Sequence, residues 1–150
     1  MKILQHALLF PFILMMGCDS LPGFSPSDIW AAAQSDNVEA IQEFLDKGTG
    51  VDALDTTGAT PLHAAARGGA TEAIAFLCSK GANPNAFSGQ GFTPLQIAIT
   101  SEQREAVIAL VDSGANVNIR STSGKTPLTF AIEFELSEIA DDLRARGGTQ

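Results

Sequence analysis

Few side chains in this sequence have the chemistry needed for catalysis or metal binding. Histidine and cysteine, which serve most often as acid–base groups, nucleophiles and zinc ligands, occur as His6, Cys18, His63 and Cys78. His6 and Cys18 fall in an N-terminal segment that we predict to lie outside the fold. One histidine and one cysteine remain, which is too few for a zinc cluster. We therefore predict no metal ion and no cofactor.

The remaining candidates for chemistry have structural interpretations. Cys78 follows Leu77 and lies in phase with Val111, thirty-three residues further on, as a small packed hydrophobic side chain would. Glu133 and Glu135 are close in sequence, but no pattern forces them into an apolar pocket, and we expect both to be solvated. The glycines occupy turn and helix-end positions and do not form a phosphate-binding loop after a strand. We predict that the protein is not an enzyme.

The sequence contains a pattern that repeats every thirty-three residues, and the repeated unit determines where these side chains lie. Thr-Pro-Leu occurs at 60–62, 93–95 and 126–128. Glycine occurs at the same interval in two series, at 48, 81, 114 and 147 and at 58, 91 and 124. An unbroken period of this length indicates stacked supersecondary units.

The stretch Thr60-Pro61-Leu62-His63-Ala64-Ala65 resembles the signature of the ankyrin-repeat family, and the resemblance extends over 27–150. It implies an all-α fold, an ankyrin-repeat solenoid of helix–turn–helix units with β-hairpin loops. About four repeats are expected, with modified units at both ends, at 27–59, 60–92, 93–125 and 126–150.

Caps and turn residues predict the limits of the helices. The first helix of each repeat should begin near 28, 61, 94 or 127. Ser27-Asp28 can cap the first of these, and in the others Thr caps the helix and Pro is tolerated at its first position. Second helices are expected at 38–47, 71–80, 104–113 and 137–146, each ended by a glycine in the left-handed conformation. The hairpins should turn at 55–58, 88–91 and 121–124, where Asp or Ser comes first and Gly last.

Both ends of the array depart from this pattern. Trp30 takes the position that His63 has in the next repeat, which predicts a first unit that shields the open end of the stack. In the last unit, charges are expected where a fifth repeat would pack, and they predict a polar cap that ends the array. These residues are Asp141, Asp142, Arg144 and Arg146.

The N-terminal segment predicts export. The apolar run from Ile3 to Met16 is too short for a comfortable membrane span and leads to Gly17-Cys18. This junction resembles the lipobox of bacterial lipoproteins, although Met15 stands where Leu is usual. We predict a cleaved signal peptide at 1–17, lipidation of Cys18, and a linker that ends at residue 26. The alternatives are a plain signal peptide with an incidental cysteine, and a transmembrane anchor.

The resemblance to lipoproteins also implies a location. It places the protein in a bacterial cell envelope, anchored by lipid and facing the periplasm. Asp19, directly after Cys18, is similar to the inner-membrane retention signal of enteric bacteria and favours the inner membrane.

The net charge of −8 argues against a nucleic-acid partner, because binding to phosphates relies on Lys and Arg. An acidic surface is compatible with a basic protein partner, and it also keeps a protein soluble. Both interpretations stay open. We predict a monomer that binds a protein.

In the ankyrin-repeat family, partners dock on a concave surface made by the hairpin tips and the exposed side of each first helix. Carried over by position, the resemblance gives the candidates Thr56, Thr57, Arg67, Gln90, Phe92, Thr100, Ser101, Thr122, Lys125, Glu133 and Phe134. It also assigns His63 to a structural hydrogen-bond network with its neighbouring Thr and the backbone, and expects Gln96 and Thr129 to act similarly.

Phe92 and Phe134 are notable among the candidates because the repeat does not require an aromatic residue at either position. Aromatic anchors dominate the binding energy of many interfaces. The alternative for each is that the ring folds against its own repeat. Phe130 lies at an inter-repeat position and is predicted to be core, whereas Leu54 and Phe87 begin turns and are expected to be partly exposed.

These features favour a membrane-anchored periplasmic adaptor that binds one protein and inhibits, protects or localises it. An immunity protein against an exported toxin and a helper of a periplasmic enzyme both fit this hypothesis. The rival is a structural envelope protein without a defined partner, and an enzyme is the least favoured.

Overall fold

The computed structural model describes residues 28–150, which form eight helices in four pairs. The helices are α1 (Ile29–Gln34), α2 (Val38–Asp46), α3 (Pro61–Gly68), α4 (Thr71–Ser79), α5 (Pro94–Thr100), α6 (Arg104–Asp112), α7 (Pro127–Glu133) and α8 (Ser137–Ala145). The first helices are α1, α3, α5 and α7, and the second helices are α2, α4, α6 and α8. The predicted all-α fold is confirmed. Each helix begins within one residue of its predicted start, and the second helices also end within one residue of their predicted ends.

The predicted signal peptide, the lipidated Cys18 and the linker lie outside the described residues. Within 28–150, no helix is long and apolar enough to cross a membrane. No group of three or more His, Cys, Asp or Glu side chains in this part of the chain is placed to hold a metal ion.

The Thr-Pro motifs at Thr60 and Thr93 start α3 and α5 through reciprocal capping bonds. The Thr93 hydroxyl accepts a hydrogen bond from the Gln96 N–H at 3.4 Å, and the Thr93 N–H donates to Gln96 Oε1 at 3.0 Å. His63 replaces Gln96 at the equivalent position of α3, where its Nδ1 accepts from the Thr60 N–H at 3.1 Å. Each motif therefore satisfies backbone groups that a helix N-terminus leaves free.

Small side chains let successive first helices pack closely. Contacts run from α1 to α3, α3 to α5 and α5 to α7, and the second helices stack in the same order. A Cβ atom at Gly68 would collide with the carbonyl oxygen of Gln34, so the C-terminal end of α3 lies directly against α1. The buried residues form one core along the stack. Phe130 belongs to it at 6% exposure, as predicted.

The loops turn where the sequence predicts, but no strand forms beside them in residues 28–150. Each turn is closed by a glycine N–H bonded to the carbonyl of the first turn residue, at 3.0 Å for Gly58 and 2.8 Å for Gly91. Only one further backbone pair flanks each turn before the next first helix begins. Neighbouring turns bond to each other instead, for example from the Gly89 N–H to the Thr57 carbonyl at 3.1 Å.

A ladder of side-chain bonds joins each repeat to the next. Ahead of each turn, or of the C-terminus, one carboxylate or amide oxygen accepts a hydrogen bond from a backbone N–H thirty-one residues further on. The donor and acceptor pairs are Asn83 to Asp52, Asn116 to Asn85, and Thr149 to Asn118, at 3.1, 2.7 and 2.7 Å.

The link between the two helices of each repeat contains a residue in the left-handed conformation. These residues are Asp36, Gly69, Glu102 and Glu135, with φ of 59°, 72°, 57° and 58°. Only one of them is glycine, although the conformation costs a residue with a Cβ about 1 kcal/mol or more. At the first link the side chain joins two repeats, because the Asp36 carboxylate accepts a hydrogen bond from the Ala73 N–H of α4 at 2.6 Å.

The prediction of a charged cap on the last repeat is only partly right. Two of the four charged residues face back toward the preceding repeat, and the other two pair on the surface. The pairs are Asp142 with Arg104 at 2.7 Å, Arg146 with Asp112 at 3.7 Å, and Asp141 with Arg144 at 2.8 Å. Ile132 is 37% exposed, whereas Ile99 at the equivalent position is buried. Helical periodicity placed these charges on the predicted helix 137–146, of which Arg146 is the C-cap residue, but did not distinguish the face toward α6 from the open end.

Candidate functional site

The candidate residues lie on the turns and on the C-terminal parts of the first helices. Eight are exposed: Thr56, Thr57, Arg67, Gln90, Thr100, Thr122, Glu133 and Phe134. Three are half-buried: Phe92, Ser101 and Lys125. We keep for these eleven residues the name concave surface, which the resemblance to the ankyrin-repeat family gave them.

A pocket of about 210 Å³ opens on the concave surface beside the turns at 55–58 and 88–91. Thr57, Arg67 and Gln90 line it together. The other lining residues are Asp55, Ala59, His63, Ser88 and Ile97. The repeat pattern gave Asp55, His63 and Ile97 structural roles only, because sequence spacing identifies a helix face but not the space left above it.

Asp55 fixes the rim of this pocket. Its Oδ1 accepts hydrogen bonds from the Thr57 N–H and hydroxyl, both at 2.7 Å, and from the Ala59 N–H at 2.9 Å. Partial desolvation acts to raise the pKa of Asp55, but these hydrogen bonds and the nearby Arg67 charge lower it below the usual value. Oδ1 of Asp55 is therefore engaged in its own turn, and Arg67 acts on this carboxylate as a nearby charge.

His63 forms part of the pocket floor and is almost fully buried, at 1% exposure. Since Nδ1 accepts from the Thr60 N–H, Nε2 carries the proton and donates to the Phe92 carbonyl at 3.0 Å. Burial lowers the pKa of His63, opposed by the carbonyls of Phe92 and Ala86, so the neutral ring is favoured. The predicted structural network is confirmed.

Equivalent residues hold the other turns in the same way. Trp30 Nε1 donates to the Ala59 carbonyl at 2.9 Å, and Gln96 Nε2 donates to the Lys125 carbonyl at 3.4 Å. Thr129 differs, because its hydroxyl bonds to the Thr126 hydroxyl at 3.0 Å. A short side chain at this position supports the helix cap but not a turn.

A different cluster surrounds Phe130 in the last repeat. The Phe92 ring is half-buried and tilted against the Phe130 ring, with 5.8 Å between centroids. Lys125 lies over the same ring, with Nζ 5.8 Å from its centroid, and also forms an ion pair with Glu133 at 2.7 Å. The Phe92 ring therefore packs on Phe130 of α7 and is not fully free in the groove.

Phe134 remains available for contact. It is the C-cap residue of α7 and is 54% exposed. Leu54 and Phe87, at equivalent positions of successive turns, are also exposed, as expected. The concave surface thus combines exposed polar side chains with an exposed aromatic ring, and two further apolar side chains begin its turns.

Most of the negative charge lies on other surfaces. Glu133 is the only acidic candidate among the eleven, and it is paired with Lys125. Nine acidic residues lie on the second helices: Glu39, Glu43, Asp46, Glu72, Glu105, Asp112, Glu138, Asp141 and Asp142. A basic partner stays a prediction, but the side chains that motivated it are not those of the concave surface.

Cys78 shows the environment of a structural thiol. It is half-buried on α4 and packs against the core. Burial raises the pKa of the Cys78 thiol, and a hydrogen bond with Ser113 only partly offsets this effect. The thiolate needed for nucleophilic attack is therefore disfavoured.

Comparison with known proteins supports the repeat assignment. A family model for ankyrin repeats, in three copies, matches residues 29–121, which include α1 to α6. A comparison with curated proteins gives no match.

Proposed function

The chain belongs to the ankyrin-repeat family, and from that premise we propose that it is a protein-binding adaptor that engages one partner through its concave surface. The observation that carries this proposal is the open pocket lined by Thr57, Arg67 and Gln90. A pocket of this size can receive one side chain of a partner, as pockets at protein interfaces do. The exposed ring of Phe134 adds an aromatic contact of the kind that dominates interfaces.

The location is a further part of this proposal and rests on the sequence. We expect Cys18 to carry lipid and to hold the domain at a bacterial membrane, facing the periplasm. Lipid anchoring would keep the concave surface close to membrane proteins and exported proteins, where the adaptor would inhibit, protect or localise its partner.

Co-purification of the full-length protein from membrane extract tests the binding function. A protein should be recovered in proportion to the wild-type chain and be lost with Thr100→Arg, which places a bulky charge on the concave surface. Glu105→Arg is the matched control, because it changes the exposed side of α6 instead. Equal recovery with both variants, or no stoichiometric protein at all, would favour the structural envelope role.

Metabolic labelling with a fatty acid tests the anchor separately. Wild-type protein should incorporate label, and Cys18→Ala should not. Unlabelled wild-type protein would refute lipidation without bearing on the concave surface.

A further inference from the structure

Arg67 differs from every other cation in residues 28–150. Within these residues its guanidinium forms no ion pair and no hydrogen bond, and it lies over no aromatic ring. This is unexpected because the chain has 17 acidic residues against 9 basic ones. The seven others are engaged: Lys47, Arg104, Lys125, Arg144 and Arg146 in ion pairs, Lys80 over Phe76, and Arg120 with the Gly124 carbonyl. An unpaired guanidinium beside a pocket is therefore specific to this position.

The repeat shows why Arg67 has no partner. Its equivalent in the last repeat is Glu133, which pairs with Lys125, a residue of the turn that precedes α7. The residue equivalent to Lys125 before α3 is Ala59. Ala59 cannot form an ion pair, and its short side chain leaves the space that forms part of the pocket.

Nearby acidic groups do not form an ion pair with Arg67. Asp55 lines the same pocket, but its Oδ1 already accepts three hydrogen bonds within its own turn. No ion pair joins it to Arg67 within the described part of the chain. The guanidinium therefore keeps its hydrogen-bonding capacity, and its planar donors match a carboxylate.

The other residues that line the pocket are also suited to a side chain that carries a carboxylate. The Ser88 hydroxyl accepts from the Phe92 N–H at 3.4 Å, which leaves its own proton free to donate. Gln90, in the same turn, is exposed, lines the pocket and offers an amide. Ala59 and Ile97 supply an apolar floor for the methylene groups of a side chain.

We infer that the pocket beside Arg67 receives an aspartate or glutamate side chain from the protein partner, which supplies the carboxylate that Ala59 cannot. The inference rests on the proposed function and specifies the chemistry of the partner at one point. It differs from the basic partner that the net charge suggests.

A random peptide library displayed on phage, selected on the full-length wild-type protein, tests this inference without a known partner. Selected peptides should share an acidic residue. A synthetic peptide should lose affinity by about tenfold or more when Arg67→Gln is made, as expected for a charged hydrogen bond. Replacing the acidic residue of the peptide with its amide should have the same effect, and the two changes together should cost little more than either alone.

Two further variants distinguish the pocket from general electrostatics. Arg120→Gln removes an exposed cation that is already bonded to a carbonyl, and it should leave peptide affinity unchanged. Ala59→Glu should place a carboxylate beside Arg67 and block peptide binding. The equivalent positions hold Phe92 and Lys125, so the repeat accepts a larger side chain there.

The outcomes separate this inference from the proposed function. Peptides that bind wild-type protein and Arg67→Gln equally, or that lack acidic residues, would overturn the inference and leave the adaptor function standing. A selection that yields no binding peptide would count against both.

Discussion

Two parts of the concave surface occupy equivalent positions of the repeat but differ in what fills them. In the last repeat, Glu133 pairs with Lys125 of the turn just before it, and Lys125 covers Phe130. Arg67 in the second repeat and Ala59 just before it take the positions of Glu133 and Lys125, and a pocket remains between the turns. The backbone supplies the same sites in both places. The side chains decide whether a site is occupied by the chain itself or is left for a partner.

The largest effect that distinguishes the two parts should come from Phe130→Ala. Phe130 is buried and contacts both Phe92 and Lys125, so its loss leaves a cavity in the filled part of the surface. We expect the free energy of unfolding to fall by about 3–5 kcal/mol. Urea denaturation measures this change. Phe134→Ala is the control, and it should stay within about 0.5 kcal/mol because its ring is exposed. Equal losses would mean that Phe134 is also core.

Phe92→Ala should have an intermediate effect. The ring is half-buried against Phe130, and aromatic pairs add about 0.5–1.5 kcal/mol beyond area burial. We expect a loss of about 1–2 kcal/mol from this contact and the buried area. The same denaturation experiment on Phe92→Ala combined with Phe130→Ala should give less than the sum of the two losses. Strict additivity would show that the rings do not interact.

The pocket floor should give stability a dependence on pH. Burial holds the pKa of His63 below its ordinary value of 6.5, so the folded protein favours the neutral ring. This contribution is complete above pH 6.5 and is lost as pH falls below it, because the unfolded chain binds the proton first. The slope for one proton is at most about 1.4 kcal/mol per pH unit. Melting between pH 8 and pH 5 measures it.

His63→Gln is the control for that measurement. Gln96 makes the same capping bond and the same type of turn bond in the next repeat, so the substitution should keep the fold. The variant should show a flatter profile between pH 8 and pH 5. An unchanged slope would assign the pH dependence to other groups.

The smallest expected changes in the free energy of unfolding come from replacing Lys125 and Arg67, the two cationic side chains of the concave surface. Lys125→Gln removes a half-exposed ion pair and should lower the free energy of unfolding by about 0.2–1 kcal/mol. Arg67→Gln removes no hydrogen bond or ion pair, only the weak attraction between the guanidinium and the Asp55 carboxylate, and should lower stability less than Lys125→Gln does. If Arg67→Gln destabilised the protein as much as Lys125→Gln, Arg67 would have an internal partner in solution.

The sequence predicted the helices well because their signals are local. Thr93, Gln96 and the proline between them satisfy the N-terminus of α5 without help from distant residues. The turns were predicted for the same reason, since Asp55 and Gly58 are both suited to their positions in one four-residue segment.

Contacts between repeats were not predictable in the same way. Phe92 and Phe130 are thirty-eight residues apart, and their contact depends on how far one helix pair is displaced from the next. Asp142 and Arg146 could be assigned to α8 but not to its inner face. The free state of Arg67 is a property of all its neighbours, so no single motif could reveal it.

The hydrogen-bond ladder from Asp52, Asn85 and Asn118 to the following repeat would also be kept if the gene gained or lost one whole repeat unit. Each oxygen meets an amide at a fixed distance along the chain. Duplication of the segment 53–85 would give every new amide an oxygen already in place, and its deletion would bring the Asn116 amide to Asp52. A single recombination event could therefore lengthen or shorten the array by a whole unit without breaking this ladder.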